Sequence, residues 1–222
     1  MLDSFLQGIL GRLVLFIPVL LLSLTVHEFA HAWSANRLGD DTARRMGRLT
    51  LNPLAHADPI GTFILPLLNV PFGWARPVPV DPSRFRRDVH MGRGMMVTAL
   101  AGPLSNLVLA VVSAVLLGLV ARMSPGAGGT GHGAASAAVA FLFSMIQMNV
   151  VLAVFNLLPV PPLDGSRIVD AFLPYRFRPA WESFSRYSMI LLLVIVFLGW
   201  RLIAVPVTHA IDLLVRLASL IA

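Results

Sequence analysis

Long runs without charged residues constrain this chain more than any other feature of its sequence. Residues 95–121 and 134–163 contain no Asp, Glu, Lys or Arg, and each run is longer than the roughly 20 residues that a helix needs to cross a bilayer. Between Arg12 and Arg37 the only ionisable residues are His27, Glu28 and His31. Runs of this kind are typical of membrane spans, so the sequence predicts an all-α polytopic membrane protein.

The composition excludes several other classes of protein. Hydrophobic residues make up 57% of the 222 residues and charged residues 13%, against about 25% charged in soluble domains. The absence of Cys excludes a disulfide-stapled or Cys-ligated zinc module. The 17 basic residues are all Arg and cluster between the apolar runs, which orients membrane spans and argues against nucleic-acid binding. We expect one membrane-embedded domain over 1–222, with its core at about 5–173 and a C-terminal span and tail at 187–222.

The apolar runs predict a helical bundle of four to six transmembrane segments. The clear crossings are residues 12–37, 95–121, 134–163 and 187–207. A shorter uncharged stretch at 59–75 contains several Pro and Gly and has an Arg-rich loop on each side. The positive-inside rule places both loops in the cytoplasm. We therefore expect this stretch to re-enter or lie at the interface, with short β-strands, rather than to cross.

This topology brings distant polar residues to one side of the membrane. The first span and the span that ends near Asp164 both run from outside to inside. His27, Glu28 and His31 in the first span therefore lie toward the cytoplasmic side, as Asp164 does. These four side chains can meet although more than half of the chain separates them.

The sequence H-E-F-A-H at 27–31 indicates a metal site. Two His four residues apart lie on one face of a helix, with Cβ atoms about 5–6 Å apart, so both imidazoles can bind one ion. Zinc is the expected ion, because it accepts nitrogen and carboxylate ligands and leaves a position open for water. Glu28, beside the first His, can take a proton from that water. Ionisable groups in the hydrocarbon core of a bilayer cost free energy, so their presence in a span indicates a functional site.

A catalytic zinc usually has three protein ligands, so a third must come from elsewhere in the chain. The candidates are His56, Asp58, Asp164 and, less plausibly, His90. Asp164 is favoured, because it follows a proline-rich helix break and precedes Gly165, which permits tight geometry. Its alternative role is to cap the helix that follows. His56 and Asp58 are either residues that orient a ligand imidazole or ordinary turn residues.

Three motifs resemble the signatures of the site-2 proteases, the intramembrane zinc metalloproteases, and occur in the same order. They are H-E-F-A-H at 27–31, A-G-P-L-S-N at 101–106 and N-L-L-P-V-P-P-L-D-G at 156–165. The segments G-R-L-T-L-N-P-L-A-H-A-D-P-I-G-T at 47–62 and G-W-A-R-P-V-P-V at 73–80 resemble the compact prokaryotic branch without a PDZ domain. The resemblance runs from about Leu13 to Gly165.

The resemblance implies roles for five residues of the first and third motifs. His27, His31 and Asp164 would hold one Zn²⁺ per chain, and Glu28 would be the general base. Asn156 would contact substrate or the developing oxyanion, although an interhelical hydrogen bond is an equal alternative. The implied activity is endoproteolysis of the transmembrane segment of a single-span substrate, in regulated signalling that can involve a membrane partner. The implied location is a prokaryotic cell membrane, with the active site toward the cytoplasm.

Two alternatives from other classes stay open at this point. One is a catalytically silent zinc-binding scaffold or metal-ion carrier, and the other is a metal-ion transporter. A carrier needs ligands but no base beside them, so Glu28 favours the protease. A transporter should carry polar residues along several spans rather than grouped at one site.

Overall fold

The computed structural model describes residues 12–68, 73–124, 133–197 and 200–222. In this part of the chain, six helices have nine or more residues: α1 (Ile17–Leu38), α2 (Met91–Met123), α3 (Ala134–Asn156), α4 (Asp164–Phe172), α5 (Arg178–Phe197) and α6 (Trp200–Ile221). A π-helical turn, Arg12–Phe16, leads into α1. Short helical turns lie at Thr42–Arg45, Pro53–His56, Pro59–Ile64, Leu65–Leu67, Pro82–Arg84 and Tyr175–Phe177.

Four helices are long and apolar enough to cross a membrane. They cover Leu13–Leu38, Met91–Met123, Ala134–Asn156 and Ile203–Ile221, and the prediction of an all-helical integral membrane protein is confirmed. The crossing predicted at 187–207 includes residues 198–199, which lie outside the described residues, and it stays a prediction. The apolar face of α6 packs inward, whereas its charged Asp212 and Arg216 are exposed and interrupt the apolar run in the sequence.

Helix α2 lies at the centre of the bundle, where it packs against α1, α3, α4 and α6. Its small residues Ala110 and Ala114 form a buried cluster with side chains from α3 and α6: Ile146, Val150, Ile203, Val207 and Leu214. At Gly118 an added Cβ would collide with the Ala218 carbonyl oxygen. Small residues therefore let these helices approach closely, as packing in a bilayer requires.

The stretch between Asp58 and Arg76 leaves one side of the fold and returns to the same place. Ala57 and Ala75 form an isolated antiparallel bridge, and the Trp74 N–H donates to the Gly61 carbonyl at 3.3 Å. The Thr62 hydroxyl donates to the Trp74 carbonyl at 2.9 Å. A segment whose two ends pair cannot end on opposite faces of a bilayer, which argues against a crossing and fits a re-entrant or interfacial position. In the described residues this bridge takes the place of the short β-strands that we expected.

The end of α3 sets the depth of Asp164. Helix α3 ends at Asn156, and α4 begins at Asp164. The intervening residues include Pro159, Pro161 and Pro162, which cannot continue a helix. A Cβ at Gly165 would collide with the carbonyl oxygens of Leu157 and Leu158. The chain therefore folds back directly under α3, and this early helix end lets Asp164 reach the level of the two His.

Candidate metal centre

The structure brings His27, His31 and Asp164 together in one buried cluster. The Nε2 atoms of His27 and His31 are 3.0 Å apart, and they lie 3.2 Å and 3.3 Å from Asp164 Oδ2. All three residues are buried. In the described part of the chain this is the group of His and carboxylate side chains arranged so that a metal ion could be held.

A backbone carbonyl fixes the proton on His31. His31 Nδ1 lies 2.7 Å from the Thr98 carbonyl oxygen on α2. A carbonyl can only accept, so Nδ1 carries the proton and donates. The neutral ring then presents the Nε2 lone pair to Asp164 and His27, which is the form that a metal ion binds.

An amide network fixes the proton on His27 in the same way. Asn106 Nδ2 donates to the Ser23 carbonyl at 3.2 Å and to Asn149 Oδ1 at 2.7 Å. Asn149 Nδ2 donates to the Met145 carbonyl at 2.8 Å. These carbonyls orient both amides, so Asn106 Oδ1 faces His27 Nδ1 at 2.6 Å and accepts its proton. His27 Nε2 therefore also presents a free lone pair. The side chains that orient this ring, on α2 and α3, are fully buried.

Three electron-pair donors facing one another need a cation between them. Ligands placed tetrahedrally at about 2.0–2.1 Å from zinc are about 3.3 Å apart, which matches the 3.0, 3.2 and 3.3 Å separations of the donor atoms. Asp164 Oδ2 is buried and makes no hydrogen bond within the described residues. Such an atom is costly unless an ion satisfies it. The donor set, two imidazoles and a carboxylate, fits zinc.

Asp164 does not cap α4, although it is the first residue of that helix. No side-chain capping bond is present at this helix start, so the carboxylate is free to face the imidazoles. A metal ion binds the ionised form of a carboxyl group, so metal binding would also compensate the buried charge of Asp164.

Glu28 lies beside this cluster on α1 and is held by one backbone contact. Its Oε2 accepts a hydrogen bond from the Val78 N–H at 2.8 Å. Its Oε1 accepts none from the residues that the structure describes. Glu28 is half-buried, so one carboxylate oxygen is anchored and the other is available for proton transfer.

The other predicted site residues lie elsewhere. His56 Nε2 donates to the Thr50 carbonyl at 2.8 Å. Asp58 accepts from the N–H groups of Ile60 and Gly61, and so caps the re-entrant turn. In the described ranges, no hydrogen bond joins either residue to the three clustered side chains. The contacts of His56 and Asp58 are those of ordinary turn residues.

Asn156 and His90 also make no contact with the cluster in the described residues. Asn156 ends α3, and its side chain donates to the Leu152 carbonyl at 3.0 Å within its own helix. The interhelical hydrogen bond that we considered for it is absent from the described part of the chain, and its Oδ1 accepts no hydrogen bond there. His90 is the residue that precedes α2 and is not one of the three residues whose donor atoms cluster.

Sequence reasoning missed the residues that orient the imidazoles. Asn106 is the last residue of the A-G-P-L-S-N motif, for which we predicted no role at the metal site. Asn149 is an amide in a long apolar run that also contains Gln147, and a polar residue in a span is an indication of function. The Thr98 carbonyl and the Val78 N–H are backbone groups, so no side-chain pattern could have identified them.

Comparison with known proteins supports this arrangement. The sequence profile described as "Peptidase family M50" matches residues 123–199. The chain is 41% identical over 194 residues to "Putative zinc metalloprotease YwhC" of Bacillus subtilis strain 168, an alignment that covers 87% of this chain and 84% of that protein. The chain belongs to peptidase family M50. The predicted resemblance to the site-2 proteases, which form this family, is confirmed, and so is the prediction of a zinc metalloprotease at the level of the family.

More distant relatives in the family align over most of this chain. "Putative zinc metalloprotease Rip2" of Mycolicibacterium smegmatis is 33% identical over 185 residues, which is 83% of this chain and 67% of that protein. The protein of the same name from Mycobacterium tuberculosis H37Rv is 32% identical over 191 residues, with the same coverage of 83% and 67%. No solved structure matches the chain.

Proposed function

We propose that this M50 peptidase is a zinc-dependent intramembrane endopeptidase that cleaves the transmembrane segment of a single-span membrane protein. The observation that carries the proposal is the cluster of His27 Nε2, His31 Nε2 and Asp164 Oδ2, buried among helices of membrane-spanning length. The three side chains are the proposed zinc ligands. The site would face the cytoplasm of a prokaryotic cell, because the Arg-rich loops flank this end of α1 and α2.

Glu28 is the proposed general base. Bound zinc would supply Lewis acidity at the cluster and lower the pKa of a nearby water. Glu28 Oε1, free of hydrogen bonds from the described residues, accepts the proton from the attacking water and returns it to the leaving amide nitrogen. The Val78 N–H holds Oε2 meanwhile, so the carboxylate keeps one orientation through both transfers.

The substrate has to be unwound before it can react. A peptide bond inside a helix is shielded, and its N–H and C=O groups need new partners once the helix opens in lipid. Asn156 lies at the end of α3, with an Oδ1 and one amide hydrogen left over after its bond to Leu152. We place it in contact with the substrate or with the oxyanion that forms during attack.

The buried polar residues of the spans favour a protease over a metal carrier or transporter. Ser23, Asn106 and Asn149 come from three different helices, but they bond to one another and to His27. These polar residues therefore surround one site at His27 and do not line a polar path through the bundle. Glu28 beside the ligands would have no role in a silent scaffold.

The test is cleavage by purified, reconstituted protein with Glu28→Gln and a matched control. Glu28 and Glu182 are the two Glu residues of the chain, and Glu182 is exposed on α5. Glu28→Gln should retain zinc and lose cleavage by at least about 10²-fold, whereas Glu182→Gln should cleave like wild type. Full cleavage by Glu28→Gln would reject the mechanism. Zinc binding without cleavage of any single-span substrate by the wild type would favour the carrier.

A further inference from the structure

The segment that follows the re-entrant stretch reaches the site through its backbone. Residues 76–80 are extended and contain Pro77 and Pro79, so Val78 is flanked by residues without an N–H. The Arg76 N–H donates to the His56 carbonyl at 2.8 Å, and the Val78 side chain is buried against Ala32 and Ala43. The Val78 N–H is the backbone donor that binds Glu28.

Arg48 is a buried cation directed at this segment. Its exposure is 8%, and its Nη2 donates to the carbonyl oxygens of Arg76 and Pro77, the latter at 3.4 Å. It forms no ion pair within the described residues, and its buried Nε has no partner there. Burial lowers the pKa of Arg48, the neighbouring charge of Arg76 lowers it further, and the charge of Glu28 opposes this shift.

A buried arginine of this kind is costly unless its position serves a purpose, because desolvation of a charge is repaid only by good partners. Here the guanidinium donates hydrogen bonds to two consecutive backbone carbonyls rather than to a carboxylate. Those carbonyls belong to the peptide groups on each side of Pro77, and the second of these peptides supplies the Val78 N–H. One nitrogen, Nη2, donates to both carbonyls, which restrains the orientation of that peptide plane and therefore the direction of its N–H.

We propose that Arg48 is a positioning residue for Glu28. Arg48 binds the Arg76 and Pro77 carbonyls and so orients the Val78 N–H, which holds Glu28 Oε2. With Oε2 held, Oε1 faces the reacting water in one orientation. Lysine cannot reproduce this function in full, because its side chain is one bond shorter and its ammonium would lie short of the position of Arg48 Nη2. This inference rests on the proposed role of Glu28 as the base.

Hydrogen exchange at Val78 tests the clamp without using activity. The stretch 76–80 has three backbone amides, those of Arg76, Val78 and Val80, and the Val80 amide has no hydrogen bond in the described residues, so slow exchange there reports Arg76 and Val78. Arg48→Met should speed the exchange of Val78 at least about tenfold. The control Arg44→Met removes an exposed Arg of the same loop and should leave exchange unchanged. Unaltered Val78 exchange in Arg48→Met would overturn the proposal.

Kinetics on the reconstituted protein separates positioning from a general loss of structure. Arg48→Met should lower kcat at least about tenfold, with KM within about twofold of wild type and zinc content retained, whereas damage to the fold would lower zinc content as well. Val78→Pro removes the donated N–H while Arg48 is intact, and should lower kcat similarly. If Arg48 acts through Val78, the double variant is no slower than the slower single variant. Additive losses in the double variant would contradict the proposal.

A conservative variant keeps the proposal falsifiable if Arg48→Met does not accumulate. Arg48→Lys preserves the charge on a shorter side chain, so Val78 should exchange faster than in wild type but more slowly than an unprotected amide. Its kcat should fall between those of wild type and Val78→Pro. Values equal to wild type would overturn the clamp. Failure of the proposed function gives a different result. Full cleavage by Glu28→Gln would show that Glu28 is not the base, but Arg48→Met would still change the exchange of Val78.

Discussion

Gly102→Ala should destroy the metal site by adding a single methyl group. A Cβ built at Gly102 would lie 2.6 Å from Cε1 of both His27 and His31, whereas ordinary contacts begin at 3.4 Å. The rings or α2 must therefore move by about 0.8 Å. The helix cannot simply shift away, because the Thr98 carbonyl and Asn106 bind the same two rings from one turn on each side of Gly102.

The expected loss is large for so small a change. Displacement of a catalytic group by about 1 Å can cost about 10²-fold in rate, and disturbance of the groups that orient metal ligands costs about 10–100-fold in metal affinity. We expect Gly102→Ala to lose both activity and zinc affinity by at least tenfold. The assays are zinc titration of the metal-free protein and kcat/KM on a reconstituted single-span substrate.

The chain offers a matched control for this substitution. A Cβ at Gly133, at the start of α3, meets nothing within 4 Å, so Gly133→Ala should bind zinc and cleave like wild type. If Gly102→Ala also retained zinc affinity and kcat/KM within about threefold of wild type, α2 could not be the wall of the site, and the account of the packing around the imidazoles would be refuted.

Three further predictions address the surroundings of the site. Asn106→Leu removes the acceptor for His27 Nδ1 and should weaken zinc binding by about 10–100-fold; unchanged affinity in a zinc titration would exclude its orienting role. Asn156→Ala should lower kcat, by about 10²-fold if the side chain stabilises the oxyanion, with zinc retained; wild-type kcat would limit Asn156 to a structural role. The chain has no Cys, so Leu54→Cys and Arg87→Cys can be labelled singly. Both are exposed and should react from the same side of sealed vesicles, whereas labelling from opposite sides would mean that the intervening stretch crosses.

The sequence predicts most of the bundle and the ligands, for physical reasons that apply to few other features. Charge-free runs of more than 20 residues have little alternative to spanning a bilayer. The H-E-x-x-H spacing places His27 and His31 on one helical face whatever surrounds them. Asp164 required more, because its depth depends on how the chain folds back after Asn156, which local sequence does not determine.

The features that the sequence did not predict depend on tertiary contacts. The orientation of His27 depends on Asn106 and Asn149, two amides from different helices whose pairing has no local pattern. The Val78 N–H and the Thr98 carbonyl are backbone groups, and every residue except proline carries both kinds. The spanning length of α6 was not predicted, because α6 buries only one face and its exposed charges interrupt the apolar run in the sequence.

Zinc coordination measured on the purified protein tests the central claim most directly. X-ray absorption at the zinc edge, combined with metal analysis, should show one zinc per chain bound by two imidazole nitrogens and at least one carboxylate oxygen. Zinc should be lost from His27→Ala, His31→Ala and Asp164→Ala, but retained in Glu28→Gln. A wild-type protein that binds no zinc, or an Asp164→Ala protein whose zinc site is unchanged, would contradict the account.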